Sequence, residues 1–372
     1  MNPGLLPAGW RCLTMLLLLA GLAACRPRED RLIRADGVEV MQSELGDALH
    51  LFIYPDYIDS ALVRQFSEQY GVEVIFDYYD NSEALVAKLL AGGKGQYDVI
   101  VPADYAVAIL IKLDMLEPLD SSHIPNLRNL DARFRSLPFD PGNRYTACYQ
   151  WGTTGLGART DLIGAPYRGD SLNTWRMLFD PAWYPGQFAL LDDPREAIGA
   201  ALRFLGHSVN TADPGLIAQA TDLLISQKHR IVAYNTASTG RDFLLSGDAP
   251  LILNHSGDVF MAADPQVTYR ITQEGGIMWA DNLAIPRSAP HKRAAEAFIN
   301  FILGAEQGAA LAAYTLYATP NRAARKLLPD SIREHPFIYP ADSVLDRMEF
   351  LQDLGPATRI YSQAWTRFKA AQ

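Results

Sequence analysis

The sequence predicts an α/β protein whose sheets are mostly parallel and flanked by helices. Three observations carry this. Strand-like and helix-like segments alternate from residue 48 to residue 101. The alternation returns near residues 188–205 and 251–262. The chain has 372 residues, 49% hydrophobic and 20% charged, an ordinary globular composition with length for two lobes of normal domain size.

The N-terminus comes first in order. In "RCLTMLLLLAGLAAC" a basic residue, Arg11, precedes a short apolar run and small residues ending at Cys25. That is the pattern of a secretory signal peptide, residues 1–24, too short and wrongly flanked for a membrane span. Leu22-Ala23-Ala24-Cys25 resembles a bacterial lipobox, which implies cleavage before Cys25 and lipid on its sulfur. Ordinary signal cleavage, with Cys25 incidental, is the alternative. Lipid chains anchor a protein to a membrane surface without spanning it. Residues 26–47 are charge-rich without clear periodicity, so 25–47 reads as a lipidated N-terminus and tether. No later stretch is long and apolar enough to cross a bilayer.

The formal charge is -9, and losing Arg11 with the signal makes it one unit more negative. This balance argues against a nucleic-acid partner and suits a cationic ligand. Cys12 leaves with the signal and Cys25 carries lipid, so Cys148 has no partner for an internal disulfide. In "YTACYQW" it reads as a buried, inert thiol.

The fold begins at residue 48. "ALHLFIY" is a strand, and "DSALVRQFSEQYG" is a helix stopped by Gly71. "VEVIFDYY" is a second strand, and "NSEALVAKLLAGG" is a helix opened by Asn81 or Ser82. "YDVIVP" is a third, fully apolar strand. Strand–helix–strand–helix–strand is a parallel α/β unit. Such sheets bind ligands beyond the carboxyl ends of their strands. Tyr54, Asp56 and Tyr57 follow the first strand there, and Asp104 and Tyr105 follow the third. "FALLDDPREAIGAALRFLG" repeats the logic as strand, turn and helix. Asp193-x-x-Glu196 fits an aspartate variant of the capping box and also sets two carboxylates at a strand end. "APLILNHSGDVFMA" places His255 and Asp258 at another strand end. The chain crosses between lobes near "TTGLGAR" and "DNLAIP". After residue 291, "KRAAEAFINFILGAEQGAALAAY" is strongly helical, and a last short helix falls at about 358–370.

"EGGIMWADNLAIP", residues 274–286, carries the sharpest question. In an extended segment Trp279 and Asp281 share a face. An aromatic wall beside a carboxylate suits an alkylammonium, through ring face and ion pairing. A core Trp followed by a turn-forming Asp is the other reading.

Enzyme signatures are absent. No G-x-G-x-x-G follows a strand, "GGKGQ" lacks the P-loop spacing, and no G-x-S-x-G elbow occurs. The seven histidines show no metal-ligand spacing, so neither metal nor cofactor is expected. Asp193 and Glu196 form an acid/base pair only in principle.

From residue 48 onward the chain resembles bacterial periplasmic polyamine-binding proteins, the spermidine- and putrescine-binding components of ABC importers. "YDVIVPADY", "YQWGTTGLG", "LLDDPREA", "EGGIMWADNLAIP" and "ATPNRAARKLL" together carry the likeness. It implies the two-lobed periplasmic-binding-protein fold, with a hinged cleft between lobes of 48–154 plus 281–325 and 155–280 plus 326–372. It implies ammonium-binding carboxylates at Asp193, Glu196 and Asp281, a Trp279 wall and aromatic contacts at Tyr57, Tyr105 and Tyr317. Asp258 matches an acidic residue of putrescine binders. Two positions depart. Relatives have "YNW(S/T)(D/E)Y" where this chain has "YPDY", so Tyr54 or Pro55 stands near a missing Trp; His255 replaces a second Trp. The resemblance further implies a monomer in the periplasm that delivers its ligand to ABC permease subunits. A binder of another cation, such as agmatine or a different guanidinium compound, and a polyamine-sensing lipoprotein are the alternatives.

Overall fold

The computed structural model describes residues 30–371 apart from 36 and 94, so the signal segment and Cys25 lie outside the described residues. The region expected to be a tether is folded over its described part. Strands β1 (Leu32–Ala35) and β2 (Val38–Met41) form an antiparallel hairpin, followed by a single helical turn at Gln42–Leu45. Ile33, Val40 and Leu45 are buried in the core of the first half of the molecule. Asp30 accepts from the Ser43 backbone N–H at 2.8 Å, and Arg31 donates to the Gln69 carbonyl at 2.7 Å. The physical reason lies in three well-spaced apolar side chains, which outweigh the polar composition around them.

The predicted parallel unit follows: β3 (Ala48–Ile53), α1 (Ser60–Tyr70), β4 (Glu73–Tyr78), α2 (Ser82–Leu90), β5 (Val99–Ile100) and α3 (Asp104–Lys112). Strand β3 lies between β4 and β5, parallel to both. Asp59 caps α1 through the Ala61 N–H at 2.8 Å, and Asn81 caps α2 through the Ala84 N–H at 2.9 Å. Gly71 ends α1 at φ +69°, a conformation open to glycine.

The second unit comprises β7 (Phe188–Leu191), α4 (Pro194–Phe204), α5 (Pro214–Ser226), β8 (Ile231–Asn235), α6 (Ala237–Ser246), β9 (Leu251–His255) and α7 (Ser256–Phe260). Here β7 lies between β8 and β9, again parallel to both. Strands β6 (Thr146–Arg159) and β11 (Ile277–Ala284) run antiparallel to each other and connect the units. The late part of β6 pairs with β9, and Ala284 at the end of β11 pairs with Ile100 of β5. The full order is β4-β3-β5-β11-β6-β9-β7-β8, with β10 (Val267–Arg270) beside β6 and β12 (Glu349–Phe350) beside β11. The expected lobe boundaries at 154/155 and 280/281 fall inside β6 and β11.

Each unit has its own core. Leu51, Phe66, Phe298 and Phe301 centre the first, where α8 (Lys292–Ile302) and α9 (Ala305–Thr315) pack. Trp175, Phe188, Leu253 and Phe368 centre the second, covered by the C-terminal helix α10 (Thr358–Ala370) against α4 and α5. Cys148 is buried on β6, and burial pushes its thiol well above the ordinary range. Among the described residues, no helix is long and apolar enough to cross a membrane.

Candidate functional site

The carboxyl ends of all six parallel strands meet around one cleft of about 500 Å³. The end of β3 supplies Tyr54, Asp56 and Tyr57, and β5 supplies Asp104 and Tyr105. Across from them, β7 supplies Asp193 and Glu196, and β9 supplies His255 and Asp258. Trp279 and Asp281 enter from β11, and Tyr317 from the segment after α9. The eleven candidate ligand contacts read from the sequence, and Asp104 with them, therefore line this one cavity.

Extended backbone turns Trp279 and Asp281 to the same face, both about 6% exposed. Opposite Trp279 in the register stands Gly152 of β6. A Cβ at Gly152 would stand 2.6 Å from the Trp279 ring, so glycine is what seats the indole there. Trp279 meets Tyr317 edge-on at 4.9 Å between centroids and His255 at 5.3 Å. Tyr57 packs edge-on against Tyr54 and Tyr317. Its hydroxyl donates to Asp281 Oδ2 at 2.5 Å, and the Tyr317 hydroxyl donates to Asp258. Gly257 lets Tyr317 approach, since a Cβ there would lie 2.6 Å from the ring. The Tyr54 hydroxyl is 3.0 Å from Ser82 Oγ. Asp56 is exposed at the rim, with Arg241 donating to it from the other unit at 3.3 Å.

Asp193 caps α4, its Oδ1 accepting from the Arg195 and Glu196 N–H groups at 2.8 and 3.0 Å. That leaves Oδ2 outside the cap. Glu196 does not complete the capping box. It turns into the cleft toward Thr154, and its buried Oε2 has no protein partner. The orientation follows from tertiary position, because the carboxylate side of α4 faces β6 and the cavity.

Sequence reasoning missed Glu83, and named Asp104 at the third strand end without giving it a ligand role. Glu83 follows β4, and its Oε2 accepts from the Tyr105 hydroxyl at 3.0 Å. The rule that located the other residues finds it when applied to β4, the second strand of the first unit in chain order. Asp104 is fully buried; Oδ1 accepts from the Tyr105 N–H at 2.8 Å and Oδ2 has no partner.

The electrostatics are one-sided. Among the described residues, nine carboxylates line the cleft and no Lys or Arg does. Burial is the largest cause raising Glu83 and Asp281 to about 7 and Asp258 to about 6. Burial also raises Asp104, Asp193 and Glu196, and the Asp193 charge adds to the rise at Glu83 and Glu196. Arg195, buried beside the cleft, donates to the Gln352 carbonyl and Asn210 at 3.1 and 3.0 Å, and its charge partly offsets the rise at Glu83, Asp104, Asp193 and Glu196. Burial lowers His255 to about 4, so it is neutral at pH 7 and adds no repulsion toward a cation. The arrangement suits an elongated cation with an apolar stem and more than one charged end.

Fold and cleft together define a solute-binding protein, and sequence comparison places the chain in a family. Residues 61–337 match the family of bacterial extracellular solute-binding proteins, and the chain belongs to it. A curated relative, the spermidine/putrescine-binding periplasmic protein of Salmonella typhimurium, is 32% identical over 338 residues, covering 90% of this chain and 95% of the relative. A solved structure described as a putative spermidine/putrescine ABC transporter from Listeria monocytogenes superposes with a TM-score of 0.82 at 32% identity. The match covers 88% of this chain and all of that one. The Tp0655 lipoprotein of Treponema pallidum superposes with a TM-score of 0.75 at 27% identity, over 87% of this chain and 99% of that one. These neighbours share the periplasmic-binding-protein fold.

Proposed function

We propose that this chain captures a linear polyamine of the putrescine or spermidine type between its two units and hands it to an ABC permease. One observation carries the reading: among the described residues, nine carboxylates and an aromatic lining converge on a cleft with no Lys or Arg in its wall. Buried carboxylates without partners are costly, and alkylammonium groups supply what they lack. The lobes in this reading are 48–154 plus 281–325 and 155–280 plus 326–372. Glu83, Asp104 and Asp281 come from one side and Asp193, Glu196 and Asp258 from the other. An amine between them replaces repulsion across the cleft with pairing, which favours closure about β6 and β11. Asp193, Glu196 and Glu83 hold one ammonium, and Asp281 with Asp258 hold another. Trp279, Tyr57, Tyr105 and Tyr317 pack on the methylene stem, and Tyr54 and neutral His255 stand where the family resemblance implies two tryptophans. Asp56 closes the rim with Arg241.

The protein works in this reading as a periplasmic monomer without catalytic turnover, held at a membrane by lipid on Cys25. The Treponema pallidum neighbour, described as a lipoprotein, supports that anchor.

Thermal unfolding against a panel of polyamines, agmatine and amino acids tests the assignment. A ligand at 100 times its dissociation constant adds about 2.7 kcal/mol. A selective shift with one polyamine supports the reading. A shift with guanidinium compounds alone moves it to that class, and no shift with any cation ends it.

A further inference from the structure

Helix α10 brings one side chain to the edge of the cleft that the chemistry above leaves unused. Asp192 and Trp365 both line the cavity. Against them rests the ammonium of Lys369. Its Nζ lies 3.0 Å from both carboxylate oxygens of Asp192. It also lies 3.4 Å from the Tyr234 ring centroid and 5.4 Å from that of Trp365. A carboxylate and two aromatic faces around an alkylammonium is the environment the cleft offers a ligand amine.

The cage is held in place. Its members come from the end of β7, from β8 and from α10. Lys228 fixes the last turn of α10, donating to the Lys369 carbonyl at 2.9 Å and to the Ala371 carbonyl. Asp192 adjoins Asp193, so the cage continues the cleft beyond its Asp193 end. The Lys369 and Asp192 side chains are 34% and 42% exposed, so the cage opens to solvent.

We propose that Lys369 fills an additional amine subsite with its own ammonium and thereby limits the length of polyamine the cleft accepts. This rests on the reading of the cleft as an alkylammonium site. A ligand amine extending past Asp193 meets a like charge whose carboxylate is already taken. Without Lys369, Asp192 and the Tyr234 and Trp365 faces become available to that amine.

Calorimetric titration with putrescine and with spermine tests this on the parent protein, Lys369→Met and Lys369→Met/Asp192→Asn. The spermine-to-putrescine affinity ratio is expected to rise about tenfold in Lys369→Met, the scale of one charge-assisted hydrogen bond. The double variant should return to within about twofold of the parent, since the freed carboxylate is gone. Should Lys369→Met fail to fold, Lys369→Gln is held to the same ratio. A parent that binds both amines, with a ratio unmoved in the single variant, overturns the role of Lys369 alone. A parent that binds neither amine overturns the reading of the cleft, and this inference with it.

Discussion

Asp140, just before β6, and Asp281, within β11, are about equally hidden, at 2% and 6% exposure. Their surroundings differ. Asp140 accepts from the Arg144, Tyr145 and Thr146 N–H groups at 3.1, 3.0 and 2.8 Å and from the Thr146 hydroxyl at 2.8 Å. Asp98, also buried, accepts from the His50 and His291 N–H groups, both at 2.8 Å. In the cleft, Asp281 accepts from Tyr57, while Glu196 and Asp104 each keep a buried oxygen with no protein partner. A carboxylate that serves the fold is saturated by the backbone around it. The cleft carboxylates are left short of donors, a cost that the ligand of the proposed function would relieve.

The largest effect that tests this contrast is on stability. Asp140→Ala leaves several N–H groups at the start of β6 without an acceptor and should destabilise the fold by about 3 kcal/mol. Chemical denaturation measures this, and the polyamine affinity of the remaining folded protein should be unchanged. A negligible loss of stability would place Asp140 with the dispensable carboxylates and erase the distinction.

The reverse pattern is expected inside the cleft. Asp281→Asn and Glu196→Gln should weaken polyamine binding by about 1.5–3 kcal/mol each, the scale of a charge-assisted bond. Their unliganded folds should be as stable as the parent or slightly more so, because a buried charge that no ion pair compensates is removed. Titration and unfolding on the same samples separate the two readouts. Full affinity in both variants would move the ligand elsewhere.

These residues differ in how far the sequence exposes them. Trp279 and Asp281 are legible because strand period two is local, and "GIMWADNLA" needs no tertiary knowledge to put both on one face. The strand-end rule reaches Tyr57, Tyr105, Asp193, His255 and Asp258 for the same reason. Glu83 escapes where attention stays on the first and third strands of the unit. Whether Glu196 completes a cap or enters a cavity depends on where Thr154 of β6 stands, which spacing within α4 does not encode. The hairpin at 32–41 is hidden by charge, although Asp36-Gly37 between apolar-containing runs is a turn signal. Lys369 and Asp192 are 177 positions apart, and only the packing of α10 beside β7 joins them.

The smallest effect per unit change is the most diagnostic, because it follows from the shortage of donors itself. Glu83 and Asp281 titrate near 7 and Asp258 near 6, above their ordinary range. Between the unfolded carboxylate range near 4 and these values, the empty fold holds more protons than the unfolded chain, so its stability falls as pH rises through that window. A polyamine demands the ionised form and reverses the trend. Its binding should release protons, and affinity should drop as pH falls from about 8 to 6, by about 1.4 kcal/mol per pH unit for each proton released. Titration calorimetry in buffers of different ionisation enthalpy counts those protons directly. The release should be reduced in Asp281→Asn and unaltered by a change at an exposed, distant carboxylate such as Asp330. Binding that is independent of pH over this range would mean that the cleft carboxylates are already ionised and partnered, and the contrast with Asp140 would lose its physical basis.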